Sequence, residues 1–423
     1  MPKDQFIVAL DVGSSKISCV VASMDQGKIS VVGTHTVKSK GIREGVVNNI
    51  DKAVSAISEV LNKTEMMSGQ PISHVVACIN GTHIESFNSR GVVAVSGVDS
   101  EIAPEDIARV NEAAQATSLP SSREIVHVIP REYIVDKQKG ISDPTGMTGV
   151  RLEVEANIIH GSTASIRNLT RSIQQVGVNV DMHIYNGYAA AEAVLTDTEK
   201  ELGTVLIDIG GGTMSMIIYN SGKPVFSAVL PIGGQHVTND LAIGLRALLD
   251  DAEKIKLRYS EETQNGPNEI VINKDGYESK VPRGEMYVGD LNIGMETVPL
   301  NIVTEIINKR IEEAFKFVKI YFKKSGYAEK LPAGVILTGG GAQLKGIGKI
   351  AEEVFKLPVR IGKPIGIAGL ADQIQDPSYA AVIGSLLIIS SSINEDHRTF
   401  GKKSANIGKI GNRVFSFIRS FLP

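Results

Sequence analysis

The chain has 423 residues, 42% hydrophobic and 22% charged, with a formal net charge of −3. That length and balance suit a folded chain with two or more cores and exclude a disordered or collagen-like one. No apolar run reaches ~18 residues, which excludes a bilayer-spanning helix, and the acidity argues against a nucleic-acid partner.

The stretch Met1–Phe6 leads directly into a strand, which leaves no room for a signal peptide. Phe6–Ala22 (FIVALDVGSSKISCVVA) reads as strand, tight turn and returning strand. Thr204–Tyr219 (TVLIDIGGGTMSMIIY) repeats that design 197 residues later, with Asp-x-Gly at the same place. An internal echo of this kind implies two duplicated α/β halves. The first continues through a strand Val31–Val37, a helix Asn48–Asn62 and a strand His74–Asn80. From about Gly81 to Gly161 the pattern changes. Strands Ile84–Ser96, Ile125–Asp136 and Arg151–His160 surround a helix Pro104–Thr117 that opens on Pro-Glu-Asp, a good first turn. This segment reads as an inserted α+β subdomain. A helix Ser162–Val176 and a strand Asn179–Tyr185 return to the first half, and the alanine-rich helix Gly187–Leu195 suits close packing between halves.

After the second hairpin come a strand Val225–Leu230 and helices Gln235–Leu245 and Asp250–Arg258. Residues 259–300 are polar and turn-rich, with short strands such as Glu269–Asn273, and read as a small lid. The helix Ile302–Lys324 carries Ile306, Ile307, Ile311, Phe315, Val318 and Phe322 on one stripe. The buried strand and turn Gly334–Ala342, the helix Ile347–Phe355 and a last helix Tyr379–Ile389 complete the globular part. Cys19 and Cys78 read as small buried residues in a reducing compartment. His127, His160 and His183 lack ligand spacing and read as structural.

The polar stretch Ser390–Asn406 reads as a flexible linker reaching roughly 20–25 Å. Beyond it, Ile407–Leu422 wound as a helix places Ile407, Ile410, Val414, Phe415, Phe417, Ile418, Phe421 and Leu422 within an arc of roughly 160°. Lys409, Arg413 and Arg419 fall on the opposite side. Six basic residues and no acid follow Asp396, so the rest of the chain carries about −9. A short basic helix with an aromatic face reads as an in-plane anchor for anionic lipid. The alternative is a helix that docks on the protein itself or in a partner's groove.

Three glycine-bearing turns follow strands, at Asp11–Lys16, Asp208–Thr213 and Thr338–Ala342. In the first two, Gly13, Gly210, Gly211 and Gly212 let the backbone approach a phosphate and present N–H groups, and Ser14, Ser15, Lys16 and Thr213 add side-chain donors. Asp11 and Asp208 would face one another across a cleft and hold a hydrated Mg²⁺, which keeps its waters and takes few direct carboxylates. The third turn, with Gly339, Gly340 and Gly341, has no carboxylate and suits a base or ribose.

These turns resemble the phosphate 1, phosphate 2 and adenosine motifs of the actin/Hsp70/sugar-kinase superfamily, and Gly187–Ala193 and Tyr379–Leu386 its two connect motifs. Asp250–Lys256 resembles the helix whose Glu and Lys, here Glu253 and Lys256, flank the adenosine. Read without the family, that pair is an ordinary solvated helix face. Val126–Tyr133 (VHVIPREY), Gly146–Leu152 (GMTGVRL) and Glu201–Met214 narrow the likeness to the bacterial FtsA cell-division family, as does the amphipathic terminus after a polar linker. The resemblance implies an α/β, actin-like fold around an ATP cleft. Its first half (1A) spans 1–80, 162–202 and 360–389, with the insert (1C) at 81–161. The second half (2A) spans 203–258 and 301–359, with the lid (2B) at 259–300. The linker covers 390–406 and the membrane-targeting helix 407–423. It further implies self-assembly into filaments on the inner face of the cytoplasmic membrane at the division site. There the protein would tether the acidic C-terminal tail of FtsZ through a region including Arg310, and recruit later division proteins through the insert. Lys309, Lys316 and Lys319 beside Arg310 read as a solvated face.

Hydrolysis needs a group that positions water at the γ-phosphate. Relatives of the MreB type have a Glu at the head of the connect 1 helix. The matching residue here is Asn186, which cannot take a proton, and no acid follows Thr213. The expectation is ATP binding with at most slow ATPase activity. A metabolite kinase of the same superfamily would need a catalytic Asp, and Asp136 and Asp143 both lie in the insert. An FtsA-like protein of type IV pilus machinery is the other alternative.

Overall fold

The computed structural model describes residues 5–25, 28–261, 269–272, 278–369 and 374–400. β1 (Gln5–Val12) and β2 (Lys16–Asp25) form an antiparallel hairpin and β3 (Lys28–Lys38) pairs with β2. Ile17–Ala22 is buried without interruption because the sheet is covered on both faces, so its strands read as apolar runs with no alternation. A short ribbon, β4 (Ile42–Arg43) with β5 (Val46–Val47), precedes α1 (Ile50–Ser68). Asn49 caps that helix by accepting the Lys52 N–H, and Gly69 ends it in the left-handed region at φ 67°. β6 (His74–Ile79) and, later, β11 (Asn179–Tyr185) run parallel to β1, which gives the order β11-β6-β1-β2-β3.

The second half repeats this order strand for strand. β12 (Thr204–Ile209), β13 (Met214–Asn220) and β14 (Lys223–Leu230) form the antiparallel part. β19 (Val335–Thr338) and β20 (Val359–Ile361) add in parallel, for β20-β19-β12-β13-β14. The 197-residue echo in the sequence is therefore a duplication of topology. The boundary expected between 359 and 360 falls inside β20.

The insert comprises β7 (Glu85–Ala94), α2 (Pro104–Gln115), β8 (Arg123–Val135), β9 (Gln138–Ile141) and β10 (Arg151–Ser162). Val110 and Ala114 of α2 pack on Leu152, Val154 and Ala156 of β10, a separate small core. It is not a free-standing protrusion, however. Glu85 of β7 pairs with Ala228 of β14, which extends the second-half sheet to nine strands, while Ile84 and Ile159 are buried in the core of the first half.

α3 (Thr163–Gln174) covers the first sheet. α4 (Asn186–Val194) and α5 (Asp197–Leu202) carry the chain across to the second half. There α6 (Gly234–Leu245), α7 (Leu249–Glu261), the 25-residue α8 (Leu300–Lys324) and α9 (Ile347–Phe355) enclose the largest core. On α8, Val303, Ile307, Ile311, Phe315, Val318 and Phe322 face that core. The described part of the lid consists of the pairs β15 (Glu269–Ile272) with β16 (Glu278–Val281) and β17 (Glu285–Tyr287) with β18 (Thr297–Pro299).

α10 (Ala380–Phe400) packs on α4 in a core to which both sheets contribute, with Ala9, Val20, Leu206 and Ile217 in one cluster. Gly384 makes that crossing possible: a Cβ there would lie 1.7 Å from the Ala189 carbonyl oxygen. The helix was expected to stop at Ile389, with a linker from Ser390. It continues to Phe400, held by Ile393 in the core shared by both halves, and the serines are tolerated because their hydroxyls bond within the helix. The Ser391 and Ser392 hydroxyls donate to the Ile388 carbonyl at 2.8 and 3.0 Å, and Ile393 is buried. Residues 401–406 of the expected linker and the amphipathic segment 407–423 lie outside the described residues.

Candidate functional site

The first two glycine turns are built alike. Gly13 N–H donates to the Lys16 carbonyl at 3.1 Å, and Gly210 N–H to the Thr213 carbonyl at 2.9 Å. Each turn closes a hairpin whose first strand ends just past an aspartate, so Asp11 and Asp208 stand at equivalent points of the two halves. The turns touch: a Cβ on Gly211 would lie 2.5 Å from Ser15 Cβ, and one on Gly212 would lie 2.8 Å from Ser14 Oγ. Any side chain at 211 or 212 would push them apart, which is the physical reason for glycine at both positions. Ser14 is held by Gly45 N–H and Gln235 Nε2, which donate to its Oγ at 2.9 Å and its carbonyl at 3.2 Å. The N–H groups of Gly234 and Gln235 at the start of α6 donate to the Gly210 and Gly211 carbonyls.

Between the turns lies a charge cluster. Burial, joined by the nearby Asp11 charge, pushes the Asp208 carboxyl up to about 7 against the opposing pull of Lys16. Burial raises Asp11 too, offset by the Asn186 amide, which donates to its Oδ1 at 3.0 Å, and by Lys16. The Asn186 Oδ1 atom is buried with no hydrogen-bond donor among the described residues. Two carboxylates sharing buried space with one ammonium leave an excess of negative charge that a divalent cation would neutralise. The donor set fits a cation that keeps most of its water: two carboxylates and a free amide oxygen suit a hydrated Mg²⁺. No group of three or more His, Cys, Asp or Glu is placed to chelate a metal among the described residues.

The third turn, Gly339–Gly341, sits against β12: a Cβ on Gly339, at φ +83°, would lie 2.2 Å from Asp208 Oδ1. A cavity of 590 Å³ opens beside it, lined by residues that include Ala342, Gln343, Ile347, Lys363 and Asp376. Glu253 and Lys256 do not line that cavity. They form a 2.7 Å ion pair, and Lys256 is 8% exposed, so they are not a solvated helix face. Lys256 Nζ also donates to Thr238 Oγ1 at 2.9 Å and to the Gly234 carbonyl at 3.2 Å, which anchors α7 to the start of α6 behind the second turn.

Several contributing residues escaped the sequence reading. Asn80, at the end of β6, donates to Thr213 Oγ1 at 3.1 Å and accepts the Ser215 hydroxyl at 3.0 Å. Its register relative to β1 makes the Asn80–Gly81 turn the first-half counterpart of the third turn, so extending the repeat past the hairpin would have found it. Ser378 and Tyr379 contact Lys16.

Away from the site, His127 Nε2 accepts the Tyr185 N–H at 3.0 Å, and burial lowers its pKa to about 4. His160 accepts from Arg123, and His183 bonds Thr170, so all three histidines are structural. Cys19 and Cys78 are buried and free, Cys19 with its thiol pushed up to about 12. Asp136 accepts the Val150 and Arg151 N–H groups, and Asp143 closes a turn at Thr145, so both shape loops of the insert. Arg310 is not a freely solvated cation. Its Nε and Nη2 donate to Asp240 of α6 at 2.5 and 3.0 Å, and Nη1 to Glu313 at 2.5 Å. Lys316 pairs with Glu312 at 2.6 Å, and Lys319 donates to the Val354 carbonyl.

Residues 205–384 match the family model described as cell division protein FtsA, and residues 81–160 the one described as the SHS2 domain inserted in FtsA. The chain is 37% identical to cell division protein FtsA of Pseudomonas aeruginosa over 90% of its own length and 89% of the relative's. Against that of Escherichia coli K12 it is 31% identical over 98% of both chains. Among solved structures it is similar to a PilM–PilN type IV pilus biogenesis complex, with TM-score 0.58 and 14% identity, covering 91% of this chain and 98% of that one. It is also similar to MreB5 of Spiroplasma citri bound to ADP, with TM-score 0.52 and 14% identity, covering 94% and 100%. The fold is actin-like with an inserted subdomain.

Proposed function

The chain belongs to the FtsA family of cell-division proteins, and on that premise we propose that it is an ATP-binding tether. Its body would bind Mg-ATP between the two halves and assemble with further copies into filaments. Its terminal helix would lie in the inner face of the cytoplasmic membrane at the division site and hold FtsZ filaments there. The observation that carries this reading is the presence in one chain of two mirrored glycine turns around Asp11, Lys16 and Asp208 and a basic, aromatic amphipathic terminus.

Asp11 and Asp208 would hold Mg²⁺ through water, with Asn186 Oδ1 accepting from that shell. The turn N–H groups, Ser14, Ser15, Lys16 and Thr213 would contact phosphates. The two turns touch, so a phosphate chain held by both would fix one half against the other, which suits nucleotide as a clamp on the relation between the halves. Asn186 is an amide bonded to Asp11 and cannot accept a proton from water, which favours slow turnover. Gly339–Gly341 would face the base or ribose, with Glu253 and Lys256 of α7 supporting the cleft through Thr238 of α6.

The FtsZ tail, acidic and apolar, would dock on α6 and α8. Arg310 supplies the charge there, while Ile243 and Ile302 expose apolar surface on the same pair of helices at 78% and 43%. An acidic peptide would exchange Asp240 and Glu313 for its own carboxylates at Arg310. Later division proteins would bind the insert. Co-sedimentation of FtsZ with anionic vesicles, using the full chain and a chain lacking residues 405–423, tests the reading. FtsZ should pellet with vesicles only when the full chain is present, and equal pelleting with the truncated chain would refute the tether.

A further inference from the structure

Lys16 is the one cation in the charge cluster, yet it makes no ion pair with Asp11 or Asp208 among the described residues. Its Nζ instead donates to Ser378 Oγ at 2.6 Å and sits 4.5 Å from the centroid of the Tyr379 ring. Both partners are themselves fixed. The Tyr379 hydroxyl meets Thr36 Oγ1 at 3.2 Å, and Thr36 meets Ser18, buried in β2, at 2.9 Å. Ser378 N–H donates to Asp376 at 2.8 Å, and Asp376 also accepts from Gln343 at 3.1 Å. The carbonyl of Pro377 accepts the Gly339 N–H at 3.1 Å. The turn Pro377–Tyr379 thus joins the first glycine turn to the third, and it leads directly into α10.

We propose that Tyr379, with Ser378, is a positioning residue for Lys16, holding its ammonium at the phosphate side of the cleft so that binding favours a polyphosphate over the bare nucleoside. The inference rests on the nucleotide reading above and adds to it the residues that orient the phosphate-binding cation. A lysine on a four-carbon stem is mobile, and three carboxylates nearby, Asp11, Asp376 and Asp208, would draw it into an ion pair that uses up its charge. The ring face attracts the ammonium without accepting a hydrogen bond, and Ser378 uses one of its three donors. The other two stay available to phosphate oxygens.

The test is titration of Mg-ATP and, separately, of adenosine into the full chain and into two variants. Tyr379→Leu keeps an apolar side chain and removes the π face; Tyr379→Phe keeps the ring and removes only the hydroxyl bond to Thr36. Tyr379→Leu should weaken Mg-ATP about tenfold, the factor a part-buried cation–π contact carries, and leave adenosine unchanged. Tyr379→Phe should bind both ligands within about twofold of wild type, since the ring that holds the ammonium is retained. Unchanged Mg-ATP binding in Tyr379→Leu would overturn the proposal. So would an equal loss in Tyr379→Phe, or a parallel loss of adenosine, which would mark the residue as structural. A wild-type chain that binds neither ligand would overturn the nucleotide reading itself, an outcome distinct from any difference between variants.

Discussion

Replacing Asp208 with Asn should make the nucleotide-free protein more stable while abolishing its response to Mg-ATP. Burial and the Asp11 charge raise the Asp208 pKa from 3.8 to about 7. The folded state therefore binds a proton more tightly than the unfolded one. The stability linked to this group is fully present below pH 3.8 and is lost as the pH rises through 7. At about 1.4 kcal/mol per unit, three units correspond to at most roughly 4 kcal/mol of lost stability at pH 8. An amide at 208 carries no charge and escapes that penalty. With an unfolding entropy of roughly 0.8 kcal/mol/K for a chain this long, the variant should melt up to about 5 °C higher at pH 8. The gap should shrink toward pH 4. Saturating Mg-ATP should raise the wild-type midpoint and leave that of Asp208→Asn in place, because the amide cannot neutralise the metal. Thermal melts at pH 5 and 8, with and without Mg-ATP, read all four quantities. A variant that melts below wild type at pH 8, or one still stabilised by Mg-ATP, would refute the assignment.

The crossing of α4 and α10 gives a second prediction. Gly384→Val should cost about 3 kcal/mol or more through overpacking on Ala189, seen as a lower urea midpoint; an unchanged midpoint would mean that the helices do not cross there. His127 has a folded pKa of about 4 against 6.5 unfolded, so its contribution is present above 6.5 and falls away as the pH drops toward 4. His127→Gln, whose side-chain oxygen can still accept the Tyr185 N–H, should flatten the acid limb of the stability curve between those values. At the α6–α8 surface, Arg310→Glu sets a carboxylate against Asp240 and should weaken FtsZ tail peptide binding more than tenfold by fluorescence anisotropy, since charge-assisted contacts of this kind carry about 1.5–3 kcal/mol.

The duplication was legible because a hairpin with Asp-x-Gly is a local pattern, and the chain repeats it at a fixed 197-residue offset. Asp11, Lys16, Asp208 and Thr213 followed from it, and the structure builds both turns with equivalent hydrogen bonds. Asn80 and Ser378 were not found, and Tyr379 was placed in the second connect motif without its contact to Lys16, since each acts through a partner far away in the chain. Lys16 and Ser378 lie 362 positions apart, a separation that no periodicity reports. The pairing of β7 with β14 was hidden for a similar reason: it has one ladder pair, Ala228 and Glu85, and otherwise rests on side-chain bonds from Ser86 and Asn88 to residues about 140 positions away. The end of α10 was misplaced because a serine run resembles a linker until its hydroxyls are seen bonding the preceding turn. Arg310 was read from family resemblance, and its pairing with Asp240, 70 positions away, emerged only when α6 and α8 were packed together.

The tether is tested most directly by one matched pair of variants in the terminal segment. Phe417 lies within the apolar arc, and Ser416, one residue back, lies outside it. Phe417→Glu gives up roughly 1.5–3 kcal/mol of phenylalanine burial and sets a charge in the acyl boundary at a further cost of about 2.5–3.5 kcal/mol. Ser416→Glu loses on the order of 1 kcal/mol of attraction to anionic lipid. Flotation of both with anionic vesicles and FtsZ should bring FtsZ to the lipid fraction with Ser416→Glu and leave it at the bottom of the gradient with Phe417→Glu. If Phe417→Glu carries FtsZ to the vesicles as well as wild type does, the terminal segment is not what holds this protein to the membrane.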